Sequence, residues 1–277
     1  TSIDLEPIVA SEVSVSPNRL GPGCVLIAVS QSGESADVIE AASLATERGA
    51  QVVSIVNVMT SSLARMSSIS IGLNCGPEIG IAATKSFSSQ LALLYELAER
   101  LGEGFVGLDL NEASNQISKV LQDHPKVERL AKEIKSVSDV YVLGRGIHYP
   151  IAAEAALKLK ELAYIHAEAI PGGELKHGPI ALLDSKYHVI VLNPRDSTYT
   201  DTLTSALEAR ARGAKIIGIS DKFSEVYDRW IELPSVHRDL YPFVELVQVQ
   251  LLSYYLALLK NADPDHPRNL AKSVTVK

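Results

Sequence analysis

Cysteine is nearly absent from this sequence: Cys24 and Cys75 are the only two among 277 residues. Two thiols do not build a disulfide framework, and no close cysteine/histidine cluster has the spacing of a structural metal site. Cys24 instead leads into an apolar run and is expected in buried core. Basic residues are in the minority, Lys+Arg 26 against Asp+Glu 33, for a formal charge of -7. That balance argues against a nucleic-acid partner, whose binders carry a basic face. It does not argue against a phosphorylated ligand, because ligand charge is met locally. No phosphate loop ending in Gly-Lys-Ser/Thr occurs, which argues against nucleotide hydrolysis. Long apolar runs are scarce as well. The best stretch, 244–259, is interrupted by Glu245, Gln248 and Gln250, and no signal-peptide pattern opens the chain. A cytoplasmic protein with no membrane partner is the expectation.

What is present is globular usage, 46% hydrophobic with Gly 17 and Pro 13, in a length that suits one large domain or two ordinary ones. Residues 25–29 read as a buried strand running into a Ser/Gly-rich turn, and 36–48 as a helix with Gly49 as its stop. Strands follow at 52–56 and 69–73, then a helix over 84–101 ending at Gly102. Residues 105–136 read as a helical linker. Alternation resumes with a strand at 140–143, a helix at 150–166, a strand at 189–192, a helix at 203–212 and a strand at 215–219. A short edge strand at 230–233 and a helix at 244–259 complete it. This is an α/β chain of parallel sheets flanked by helices.

A repeat is visible: Gly49-Ala50 before 52–56 matches Gly213-Ala214 before 216–219. In the second half, the strand at 140–143 and its helix precede the strand at 189–192. Only residues 1–24 precede the corresponding strand at 25–29, so an opening strand and helix have no room in the first domain. The sequence is therefore expected to begin inside that domain, with a genuinely abbreviated domain as the alternative. The expected boundaries are 1–104 and 137–260 for the two domains, 105–136 for the linker and 261–277 for a C-terminal tail.

Four places carry chemistry. Ser30-Gln31-Ser32-Gly33-Glu34-Ser35 lies between a strand and a helix start, where hydroxyls, a carboxamide and unpaired first-turn amides suit an oxyanion; a plain Ser-capped helix is the alternative. Glu154, Lys158 and Glu161 fall at i, i+4 and i+7, within about 60° on one helix face. That is either a surface ion-pair ladder or a site beside Gly144-Arg145-Gly146, at the carboxyl end of a strand where open α/β sheets place ligands. Glu174-Leu175-Lys176-His177-Gly178-Pro179 offers a near-neutral proton carrier in His177, although a loop histidine is more often structural. Lys272, in Pro267-Arg268-Asn269-Leu270-Ala271-Lys272, offers an amine that could condense with a carbonyl; on composition alone it is a charged tail.

Together these motifs carry a resemblance. Ser30–Ser35 resembles the phosphate-binding signature of SIS (sugar isomerase) domains. Cys75-Gly76-Pro77-Glu78-Ile79-Gly80 with Thr84-Lys85-Ser86-Phe87, the stretch from Glu154 to Pro179, and the closing residues 269–276 are similar to glucosamine-6-phosphate synthases. The resemblance implies two tandem SIS domains that turn fructose 6-phosphate and glutamine-derived ammonia into glucosamine 6-phosphate without a cofactor or metal. It implies that Ser30, Gln31, Ser32 and Ser35 hold the phosphate of a hexose 6-phosphate. Glu161 would shift a proton between C1 and C2, His177 from the neighbouring subunit of a homodimer would help open the ring, Lys272 would form an imine, and Glu154 and Lys158 would support them. Ser35 replaces the threonine of many relatives and keeps the hydroxyl.

The family's glutaminase domain would lie upstream. It is not in this sequence, and Thr1 is not the N-terminal cysteine such domains use. Lys277 stands where relatives commonly end in glutamate. Two other readings remain at this point: a related sugar-phosphate isomerase or deglycase, and a non-catalytic sugar-phosphate sensor. The joint presence of Glu161, His177 and Lys272 argues against the sensor.

Overall fold

The computed structural model describes residues 4–15, 20–102 and 107–275. Thr1, the 104/105 boundary, Val276 and Lys277 lie outside the described residues. The chain divides into two units, Thr1–Gly107 with Asn269–Lys277, and Leu108–Arg268.

In the first unit, β1 (Val25–Ser30), β2 (Gln51–Val56) and β3 (Ile69–Gly72) form a parallel sheet in the order β1-β2-β3. Helix α1 (Ala36–Glu47) joins β1 to β2, the short α2 (Ser62–Met66) joins β2 to β3, and α3 (Lys85–Leu101) follows. Ala28, Ala42, Ala45, Val52, Val56 and Leu63 make its core. Small alanines on α1 let the helix lie close to the branched side chains of the sheet.

The second unit opens with α4 (Leu110–Gln122) and α5 (His124–Ile134), then β4 (Asp139–Gly144), α6 (His148–Ala163) and β5 (His166–Pro171). It continues with β6 (His188–Leu192), α7 (Tyr199–Arg210), β7 (Lys215–Ser220), β8 (Arg229–Glu232) and α8 (Tyr241–Leu259). Its five strands are parallel in the order β5-β4-β6-β7-β8. The chain leaves β4 in one direction and β6 in the other, so the carboxyl ends of β4 and β6 flank a topological switch point. The order β6-β7-β8 reproduces β1-β2-β3.

The repeat extends to the helix stops. Ala50 N–H donates to Ala45 O at 2.9 Å and Ala214 N–H to Ala209 O at 3.3 Å. Gly49 and Gly213 take φ of +83° and +96° between them, a left-handed turn that favours glycine.

Within the expected helical linker, α4 and α5 both pack on α8 in the second unit. Their apolar faces (Val120 on α4; Val127, Leu130 and Ile134 on α5) are buried. Two expectations are corrected. Cys24 is exposed, because it sits on the turn before β1, where its N–H reaches Gly21 O at 3.1 Å. And the polar residues that interrupt 244–259 do not keep α8 from being long and apolar enough to cross a membrane. Most of α8 is nevertheless buried against α6, α5 and α4, Glu245 and Gln248 included.

Candidate functional site

The turn after β1 is held by its own hydroxyls acting as acceptors. Gly33 N–H donates to Ser30 Oγ at 3.0 Å and Glu34 N–H to Ser32 Oγ at 3.2 Å, while Ser30 Oγ and Ser35 Oγ lie 3.4 Å apart. A hydroxyl that accepts an amide proton still has its own proton to give. The N-cap residue Ser35 makes no side-chain cap bond to α1. Of the first-turn amides, Ala36 N–H donates to Val274 O at 3.0 Å. Those of Asp37 and Val38 have no acceptor among the described residues. The loop therefore presents hydroxyl protons and two unpaired amides at the positive end of a helix, a donor set suited to an oxyanion.

Only glycine fits at position 33. Its φ is +66°, and a Cβ there would lie 2.1 Å from Ser61 Oγ. Glu34 has a structural partner: its Oε1 accepts from Ser62 N–H at 2.7 Å, at the start of α2. The backbone oxygen of Gln31 accepts from Asn57 N–H at 3.0 Å.

Lys272 belongs to the same unit. Its Nζ donates to Glu78 Oε2 at 2.8 Å and to Gly80 O at 2.7 Å. Glu78 also accepts from Thr84 N–H and Ser86 N–H at 3.1 Å and from Ser86 Oγ at 2.7 Å. Burial opposes its ionisation, but the Lys272, Ser86 and Thr84 donors together outweigh burial and bring its pKa to about 2.

In the second unit the predicted ladder is real but not superficial. Lys158 is almost wholly buried, with Nζ 2.6 Å from Glu161 Oε2 and 3.1 Å from Glu154 Oε1. The first approach is a hydrogen bond. The second is an ion pair only, since Glu154 Oε1 has no hydrogen-bond partner. Burial raises the pKa of Glu154, and the negative charge of Glu161 adds to it against the pull of Lys158. The side chain of Glu161 keeps 21% of its exposure against 8% for Glu154, so Glu161 is the carboxylate a ligand can reach. His177 ends the 3-10 turn Gly172–His177, which Leu175 anchors in the core. It is exposed and has no bonding partner among the described residues.

The sequence did not signal His148. It sits in the first turn of α6, at the switch point, with Nδ1 2.9 Å from Glu245 and Nε2 3.2 Å from Asp196. Burial disfavours its charge, but the Glu245 and Asp196 carboxylates outweigh that and raise its pKa. In the mirrored repeat, Asp196 takes the place of Gly33, and its Oδ1 accepts from Thr198 N–H and Oγ at 2.7 Å. A 280 Å³ cavity lined by His188, Lys215 and Arg229 opens at the opposite, amino ends of β6, β7 and β8. Among the described residues no cluster suits a metal ion.

A parallel sheet whose strand ends in a hydroxyl-rich turn at a helix start, with a second copy of that topology in the same chain, defines a class. The SIS domain family model matches residues 9–100 and 133–260, and the chain belongs to the SIS domain family. Glutamine–fructose-6-phosphate aminotransferase (isomerizing) of Thermotoga maritima is 42% identical across 100% of this chain and 48% of its own length. The enzyme of that name from Pyrococcus horikoshii is 43% identical across 91% of this chain and 44% of its own. The solved C-terminal domain of glucosamine-fructose-6-phosphate aminotransferase from Francisella tularensis superposes with a TM-score of 0.88 at 33% identity, covering 94% of this chain and 78% of that one. The chain thus spans about half the length of the curated relatives it matches, and the portion it matches is their isomerase part.

Proposed function

We propose that this chain binds fructose 6-phosphate and converts it with ammonia to glucosamine 6-phosphate. The donor set of the Ser30–Ser35 turn carries the reading, because it suits a phosphate dianion, and the names of the relatives supply the sugar. Ser30, Gln31, Ser32 and Ser35 hold the phosphate. His177 assists ring opening by moving a proton between the ring oxygen and the anomeric hydroxyl. The neutral Lys272 amine adds to C2 of the open ketose and water leaves, forming an imine that acidifies the C1 proton. Ammonia adds to the imine carbon and the Lys272 amine leaves, so that C2 carries the imine of ammonia. Glu161 then takes a proton from C1 and delivers it to C2, with Lys158 and Glu154 supporting it, leaving an aldehyde at C1 and an amine on C2.

The exposure of His177 supports the part of this reading in which it serves a neighbouring subunit of a homodimer. A cytoplasmic location and a glutaminase domain as ammonia source in the full-length protein complete it. We take 1–104 and 137–260 as the SIS domains, 105–136 as the helical linker between them, and 261–277 as the active-site tail.

Ser32→Ala removes one anion donor and is expected to weaken fructose 6-phosphate binding by about 1–3 kcal/mol, roughly 5- to 150-fold. Isothermal titration should show unphosphorylated fructose binding far more weakly than its 6-phosphate. Equal affinity for the two sugars would remove the phosphate assignment.

A further inference from the structure

The stretch from Cys75 to Phe87 was singled out by the sequence, yet none of its residues enters the chemistry above. We infer that Glu78 is the positioning residue for Lys272: it binds the tail's amine in a resting pair and fixes where the tail returns after turnover. This rests on the role proposed for Lys272.

The geometry separates holding from catalysis. Glu78 is nearly buried (4% side-chain exposure). Its two oxygens accept from both the amides and a hydroxyl at the start of α3 as well as from Lys272. A carboxylate pinned by that many donors is poorly free to rotate and is a very weak base. It holds the Lys272 ammonium by a hydrogen bond without removing its proton. Its consequence is positional. Lys272 Nζ is held between Oε2 of Glu78 and the carbonyl of Gly80, while two residues on, Val274 O meets Ala36 N–H at the head of α1. The tail is thereby fastened at both the Glu78 loop and the phosphate-loop helix. To attack a carbonyl, Lys272 must first leave two charge-assisted hydrogen bonds, so Glu78 keeps the amine unreactive until it is displaced.

The test needs no sugar. The full chain is treated with limiting acetic anhydride, and acetylation of Lys272 is compared by peptide mass spectrometry with that of Lys135, an exposed lysine with no bonding partner among the described residues. Lys272 should react at least about tenfold more slowly than Lys135. Glu78→Gln should bring it within about threefold, and Glu78→Asp, which keeps the charge on a shorter arm, should restore part of the protection. A purely structural role at the start of α3 would leave Lys272 reactivity alone. Equal labelling of Lys272 and Lys135 in the unaltered chain, or unchanged protection in a natively melting Glu78→Gln, overturns the inference. If Glu78→Gln does not fold, the ratio in the unaltered chain decides. A protected Lys272 in a chain without activity would sink the proposed reaction and leave this pair standing. An unprotected Lys272 in an active chain would do the reverse.

Discussion

Glu161→Gln is expected to slow formation of glucosamine 6-phosphate from fructose 6-phosphate and ammonia by about 100- to 10,000-fold, the range contributed by a positioned proton carrier. Affinity for the sugar phosphate should stay within about twofold, because the glutamine matches glutamate in shape and the Ser30–Ser35 donors are untouched. Geometry decides which carboxylate to change. Glu154 and Glu161 both approach Lys158, but Glu154 is sealed in and its charged form is penalised by burial, whereas Glu161 is partly open. The fold should survive, since Lys158 retains Glu154 at 3.1 Å and its buried charge is not orphaned. Initial rates, titration calorimetry and a thermal melt on one preparation check all three statements. An undiminished rate would return Glu161 to the role of an ion-pair ladder residue.

Lys272→Arg should lose about 100-fold or more in the same conversion, on the order of 3 kcal/mol of barrier. Guanidinium stays protonated and has no lone pair for the imine, yet it can pair with a carboxylate as well as an ammonium can. The contact with Glu78 should therefore persist while the chemistry disappears. Borohydride added with fructose 6-phosphate should trap one hexose-phosphate on Lys272 and none on the arginine variant, read by peptide mass spectrometry. Full activity in the arginine variant would rule out the imine.

Much of the fold was legible because parallel strands buried on both faces announce themselves. The apolar runs ending near Ser30, Val56, Leu192 and Ile219 and the left-handed glycines Gly49 and Gly213 came through within a residue or two. β5 did not. The helix is expected to run to His166 and no element is expected at 167–171. Ala167-Glu168-Ala169 carries little strand propensity, and pairing with β4 makes the segment a strand, tertiary context overriding propensity. The end of α6 was hidden for a related reason: Tyr164 takes the left-handed cap, φ 54°, where the sequence offers no glycine. The Glu154–Lys158–Glu161 spacing was readable, but its burial was not, because the same pattern serves an exposed ladder. His148, Asp196 and Glu245 were invisible as a group, since they lie far apart in sequence and meet only where β4 and β6 diverge. Glu78 fell inside a motif recognised by likeness, with no local sign of the lysine it binds.

The central claim is that this chain moves a proton between adjacent carbons of a hexose 6-phosphate rather than only binding it. Fructose 6-phosphate incubated with the full chain in heavy water, followed by proton NMR, tests it most directly. The account expects deuterium to enter the hexose 6-phosphate at C1 or C2 with the unaltered chain, and Glu161→Gln to abolish that entry. A chain that binds fructose 6-phosphate in titration and yet leaves both carbons fully protonated would be a sensor, and would contradict the account.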